Sequence, residues 1–283
     1  VTSSAPWGNR TGHVVLSFSN KIWVLGGYTG DCYNFKNDIW SSADGISWEQ
    51  INDNASWIGR DNFAGVVFND KIWVLGGHAP SNCTHNKGKD VWYSSDGINW
   101  TQATSNASFG CRSNHSAVVF DNKIYVIGGQ TSNCQSGQGG SYNSDVYSST
   151  DGINWTQVTS NAGLGSQFNP GVVVHNNKIW LMNGSSVYNT SDGSTWNRVY
   201  SDNSSGGVDW NSSGLSAASL SNTLYIFGYS LTNPRSSSND GINWTSFDYP
   251  STTGIQASNN GVTMGNSIWM IGKQNVWKLN EID

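Results

Sequence analysis

Long apolar runs are missing from this chain. The fullest stretches, VVLSF and KIWVLGG, fall far short of the roughly 20 residues a membrane-spanning helix needs, so no membrane insertion is expected. The opening VTSSAPWGNR lacks the charged and then apolar order of a signal peptide, which fits a cytoplasmic chain or one already processed. Glutamate occurs twice, methionine three times, and charged residues make up only 12% of the sequence. A chain so poor in helix formers is not built of helices. The 14 basic residues are outnumbered by 19 acidic ones, for a net charge of −5. That leaves no basic footprint for nucleic acid, and no nucleic-acid partner is expected. The 33 glycines and 15 tryptophans, set among many Ser, Asn and Thr, point instead to strands joined by turns.

What the chain does have is repetition. DGINWTQ stands at 96–102 and again at 151–157, and DGINWT at 240–245, with DGISWEQ at 44–50 and DGSTWNR at 192–198 as variants. Aligning on the lysine of NKIWVLGG puts Lys21, Lys71, Lys123 and Lys178 in register, followed by Thr223 and Ser267, at spacings of 50, 52, 55, 45 and 44 residues. That period suits one four-stranded propeller blade. Each copy parses into a small β-branched strand a (GHVVLSF, AGVVF, SAVVF, GVVVH), a strand b (KIWVLGG) and a strand c (NDIWSS, DVWYSS, DVYSS, SVYNTS). An Asp-Gly corner then leads into a strand d, ISWEQ or INWTQ. The expected fold is an all-β, six-bladed propeller of four-stranded antiparallel blades in one domain, 1–283. The blades run over about 10–53, 60–105, 112–160, 167–202, 212–249 and 256–283. The last copy has no Asp-Gly corner and no strand d, so it is either incomplete or closed by the N-terminal residues. The aromatics on strand b (Trp23, Trp73, Tyr125, Trp180, Tyr225, Trp269) and on strand d (Trp48, Trp100, Trp155, Trp196, Trp244) are expected to wedge between sheets.

The double glycine closing strand b (Gly26-Gly27, Gly76-Gly77, Gly128-Gly129), the Tyr or Trp of strand c and the Trp that follows the corner resemble the kelch repeat. The resemblance covers nearly the whole chain. It is fullest in the first three copies, has Asn183-Gly184 in the fourth, and keeps only Gly228 and Gly272 in the last two. The phrase S-S-D-G-x-x-W also resembles the Asp box of sialidase propellers with one residue removed, which implies a structural turn.

In such a meander the b–c and d–a connections share one face. The b–c loops (YTGDCYNFKN, HAPSNCTHNKGK, QTSNCQSGQGGSYNS) differ in every copy, so recognition is expected there. All four cysteines fall on that face: Cys32, Cys83 and Cys134 in equivalent loops and Cys111 in a d–a connection. They are disulfide candidates in an extracellular or secreted setting, with Cys111–Cys134 and Cys32–Cys83 preferred among three pairings and free cytoplasmic thiols as the alternative. No metal site is expected, because Cys83-Thr84-His85 with His78 lacks a second pair at zinc-like spacing.

Trp7, Trp57, Phe109 and Trp210 fall in d–a connections. Arg10, Arg60 and Arg112 come three residues after the first three of these aromatics, and His13, Phe63 and His115 three residues further on. One expectation is a ring of aromatic platforms and guanidinium forks at the channel mouth, suited to binding sugars. The other is that these residues tie blades together and cap carbonyls, as the resemblance to kelch repeats implies. Glu49 and Glu281 lie off this face. Of the aspartates only Asp31, Asp61 and Asp209 are well placed on it, and no carboxylate pair stands out, so glycoside hydrolysis is not expected. The function expected is a non-catalytic, lectin-like carbohydrate-binding module for a carbohydrate or glycoconjugate partner, without cofactor. Two alternatives are a sugar mutarotase or epimerase using His13 or His115, and an adaptor binding a protein partner.

Overall fold

Short runs of branched residues broken by Gly, Asn and Asp fold here as strands and turns. The computed structural model describes residues 2, 4–31, 34–79, 88–131, 141–165, 170–184, 186–201, 215–227, 235–247 and 260–280. Six antiparallel sheets, each with its strands in chain order, stand around an axis; five have four strands and the last has three. The innermost strands are Val14–Phe18, Ala64–Phe68, Ser116–Phe120, Gly171–His175, Ser216–Leu220 and Asn260–Thr263. Each neighbours the next, and the sixth neighbours the first, so the ring is closed. Small residues are required where these strands crowd together: a Cβ on Gly65 would stand 2.6 Å from Val14 Cγ1. Among the described residues no helix is long and apolar enough to cross a membrane.

Two kinds of turn face away from the variable loops. In the first five blades the a–b hairpins are two-residue turns with both residues at positive φ, such as Ser19-Asn20 (48° and 56°) and Asn176-Asn177 (47° and 55°). This is the hairpin geometry that matches strand twist and favours Asn and Asp. The Asp-Gly corner between strands c and d is wider. In blade 2, Asp96 Oδ1 accepts the backbone N–H groups of Ile98 and Asn99, each at 2.8 Å, and Ser94 Oγ accepts that of Gly97 at 2.8 Å. The same bonds recur around Asp44, Asp151, Asp192 and Asp240. In the fourth blade the backbone N–H of Thr195 does most to bring Asp192 down to about 2. Strand d begins after the corner, at Glu49, Thr101, Thr156, Asn197 and Thr245. The tryptophans expected on strand d therefore stand in the corner itself, where each indole N–H closes back onto the corner glycine carbonyl.

That glycine explains the repeated phrase. A Cβ on Gly97 would lie 2.5 Å from the ring of Trp23 in the preceding blade. Gly152, Gly193 and Gly241 meet Trp73, Tyr125 and Trp180 in the same way, and Gly45 meets Trp269 across the closure. The corner of each blade thus sits on the strand b aromatic of the blade before it. At the last blade, Thr2 takes the outer position in an antiparallel bridge with Val276, with N···O distances of 3.2 and 2.9 Å.

Substituting Gly97→Ala puts a methyl group into the Trp23 ring at a backbone φ of 76° and is expected to cost about 2–3 kcal/mol in urea denaturation. Gly163→Ala, at φ 68° with no atom within 4 Å of the new Cβ, should cost only about 1 kcal/mol.

Candidate functional site

The d–a connections carry the chain from the outer edge of one blade to the axis of the next, and the three arginines sit along that path. Arg60 hydrogen-bonds backward through its backbone: its N–H donates to Lys36 O at 3.1 Å and its carbonyl accepts from Gly27 N at 2.9 Å, both in blade 1. Its guanidinium reaches forward into blade 2, to Gly76 O at 2.7 Å and to both oxygens of Asp90 at 2.8 Å. Arg112 repeats this with Asp145 and Gly128 O, and Arg10 with Asp38 and Gly26 O. Each arginine is a buried latch between two blades.

The aromatics beside them are buried as well. Trp7 meets Trp48 edge-on at 4.4 Å, Trp57 meets Trp100 at 5.8 Å and Phe109 meets Trp155 at 4.9 Å. The platforms and forks expected at the channel mouth are therefore interior. Arg10, Arg60 and Arg112 are 1%, 3% and 2% exposed, and apart from Arg10 Nε, which is buried without a partner, their guanidinium nitrogens donate to protein carbonyls and carboxylates. Trp210, Cys32, Cys83 and Cys134 lie outside the described residues. Cys111 is described, in the connection entering blade 3, with its Sγ 3.2 Å from where a Cβ of Gly88 would stand.

The latch has a partner that reading the arginines alone missed. Asp38 and Asp145 stand within strand c and Asp90 just before it, each two residues ahead of an aromatic. Trp40 and Trp92 donate Nε1–H to the carboxylate at 2.9 and 2.7 Å, and Tyr147 lies under Arg112 at 5.3 Å. Burial pushes Asp38 upward, but bonding to Arg10 outweighs it and holds the carboxyl below its ordinary value. The signal was in the repeat itself. The fourth copy has Gln167 and Ser186 at the corresponding positions, so arginine and aspartate are absent together.

His13 and His115 are buried at 2% and 3% exposure, with both ring nitrogens closed to solvent. Burial first, and then the neighbouring Arg10 or Arg112 charge, lowers each to about 3. In this arrangement neither ring presents a nitrogen to solvent, as an acid or base for ring opening would need to. Phe63 fills the same place in blade 2.

What the variable face does present is carried by strand b just beyond the double glycine. Tyr28, His78 and Gln130 occupy this position in blades 1–3, and each forms a backbone bridge with the residue after the latch arginine: Thr11, Asp61 and Ser113. The double glycine permits this crossing, since a Cβ on Gly27 would stand 2.9 Å from His13 Cβ at φ 105°. At the junction of blades 1 and 2, Tyr28 and Phe35 lie 4.9 Å apart, and Phe35 meets His78 edge-on at 5.1 Å. His78 Nδ1 is 3.0 Å from Asp61 Oδ1, and Asn62 Nδ2 donates to Asp61 Oδ2 at 3.0 Å. Tyr28, Phe35 and His78 are half-buried. Tyr28 and His78 are the first letters of the variable loops, and Asp61 is one of the three aspartates expected on this face.

The central channel offers less. Its mouth and its deeper part form cavities of about 170 and 400 Å³, walled by the inner strands with residues such as Val14, Ala64, Val66 and Ala117.

The fold is that of a six-bladed β-propeller whose b–c and d–a connections share one face. A protein family described as the DUF6242 beta propeller domain matches residues 42–169, from the first Asp-Gly corner through the third blade, and over that stretch the chain is similar to it. No curated protein matches the chain.

Asp90→Ala leaves the Arg60 guanidinium buried without its counter-charge and should cost about 3–5 kcal/mol by urea denaturation. The double variant Arg60→Gln, Asp90→Ser, which copies blade 4, should cost clearly less. The two buried histidines carry a pH signature. Their folded values of about 3 lie below the ordinary 6.5, so the unfolded chain holds more protons between the two. Their contribution to stability is complete above 6.5 and is lost as pH falls toward 3. The urea midpoint should therefore drop between pH 6.5 and about 4.5, and His13→Phe with His115→Phe, which copies the Phe63 of blade 2, should flatten that slope.

Proposed function

We propose that this propeller is a non-catalytic, lectin-like carbohydrate-binding module whose site is the Tyr28–Phe35–His78 surface with Asp61, where blades 1 and 2 meet. One observation carries the reading. On the variable face three half-buried rings, Tyr28, Phe35 and the His78 imidazole, touch in series, and the Asp61 carboxylate holds the imidazole. Flat rings suit the C–H faces of a sugar, and fixed polar groups beside them suit its hydroxyls. The latches support the site from below, since Arg60 fixes the strand ends that hold Phe35 and His78.

The double glycines and the strand c aromatics favour reading the blades as kelch-like. The same proposal takes the protein to act outside the cell, with the four cysteines forming disulfides that pin neighbouring loops on the binding face. A second reading, an adaptor for a protein partner, draws support from the opposite face. Ile46, Ile98, Ile153 and Ile242 stand at the same place in four Asp-Gly corners and are 49–64% exposed.

A glycan array with the purified protein tests the proposal, repeated with Phe35→Ala and with Tyr28→Ala. Binding by the parent that weakens about tenfold or more in either folded variant supports it. A blank array for the parent sinks it and leaves the adaptor reading. Replacing the latch arginines would be the wrong control, because their loss disturbs the junctions rather than the exposed surface.

A further inference from the structure

The groups at this junction also specify which sugars it would take. Resting on the carbohydrate reading of the face, we propose that the site selects uncharged sugars and rejects acidic ones such as uronates and sialylated glycans.

The donors and acceptors at the junction carry the inference. Recognition of a sugar carboxylate calls for guanidinium or ammonium groups that present N–H donors in a fork or cluster. The three arginines of this half of the ring are turned inward and bound to Asp38, Asp90 and Asp145. Lys36, on the blade 1 hairpin, is a half-buried single ammonium rather than a fork, and it helps hold Asp38 below its ordinary value. Beneath the rings stands Asp61, buried at 8% exposure, a carboxylate that only accepts hydrogen bonds. Its contact with His78 Nδ1 makes that nitrogen the donor in the neutral imidazole, leaving Nε2 as an acceptor. Asp31, exposed on the adjoining hairpin, adds a second negative charge.

The site therefore offers aromatic faces and hydrogen-bond acceptors. The complementary ligand has C–H faces and many O–H donors and carries no negative charge, which describes a neutral hexose or a chain of them. Among the described residues of this junction a ligand carboxylate would find no free guanidinium fork, and it would lie near the negative charges of Asp61 and Asp31. The net charge of −5 works in the same direction at longer range.

The test compares matched pairs by calorimetric titration of the whole chain: methyl glucoside against methyl glucuronide, methyl galactoside against methyl galacturonide, and lactose against sialyllactose. The expected result is at least one neutral member bound at least about fivefold tighter than its acidic counterpart at low ionic strength. Asp61→Asn, which keeps the backbone bridge to His78, should shrink that ratio. Equal or tighter binding of the acidic members by the parent overturns the selectivity while leaving the carbohydrate reading intact. So does a ratio that Asp61→Asn leaves unchanged in a variant that still folds. Absence of binding to every member, together with a blank glycan array, overturns both.

Discussion

The rest of the molecule depends on a buried arginine whose backbone belongs to one blade and whose guanidinium belongs to the next. Sheets that meet only through apolar side chains can slide, because dispersion and area burial carry little direction. A guanidinium fork on a carboxylate does carry direction. At Arg10, Arg60 and Arg112 the fork also takes the carbonyl of the first glycine of the pair that ends strand b. The crossing of the d–a connection over strand b is thereby set, and with it the place of the residue that follows the glycines on the outer face.

This arrangement links stability to recognition. The residues that resemble a ligand site in the linear chain are the ones that hold the ring, and the half-buried Tyr28, His78 and Gln130 of the variable face are bridged to the residues that follow the latch arginines, Thr11, Asp61 and Ser113. A latch ending in a variable residue lets the surface change without altering the junction below it. Three such latches fall at consecutive junctions, from the closure through blade 3. The aromatic surface at the meeting of blades 1 and 2 stands between two of them.

Much of the architecture was legible because it is local and repeated. Strand a by its small branched residues, strand b by KIWVLGG and the corner by Asp-Gly all fell where expected, and six blades followed from the spacing. Two local readings needed correction. The tryptophans after the corner precede strand d, because the Ser and Asp caps hold several residues in the turn before pairing resumes. The paired positive-φ residues of the a–b hairpins, such as Asp121-Asn122, went unread because Asp-Gly drew attention first. The site was less legible for a different reason. Arg60 and Asp90 are 30 residues apart, and nothing in either segment alone says that they meet. Without the carboxylate, a conspicuous arginine near a channel looks like a ligand group. With it, the arginine is structural and attention moves to the half-exposed rings one residue beyond the glycines.

The contact between a corner glycine and the indole of the preceding blade has a bearing on how such a ring could be copied or shortened. The sheet and the set of complementary surfaces are out of phase: Gly97 completes the packing of Trp23, and Gly152 that of Trp73. Excising blade 2 whole would remove Gly97 together with Trp73 and leave Trp23 facing Gly152, a ring facing a hollow. Any cut that spans one full period, wherever in the sheet it begins, therefore leaves each new seam joining a hollow to a ring.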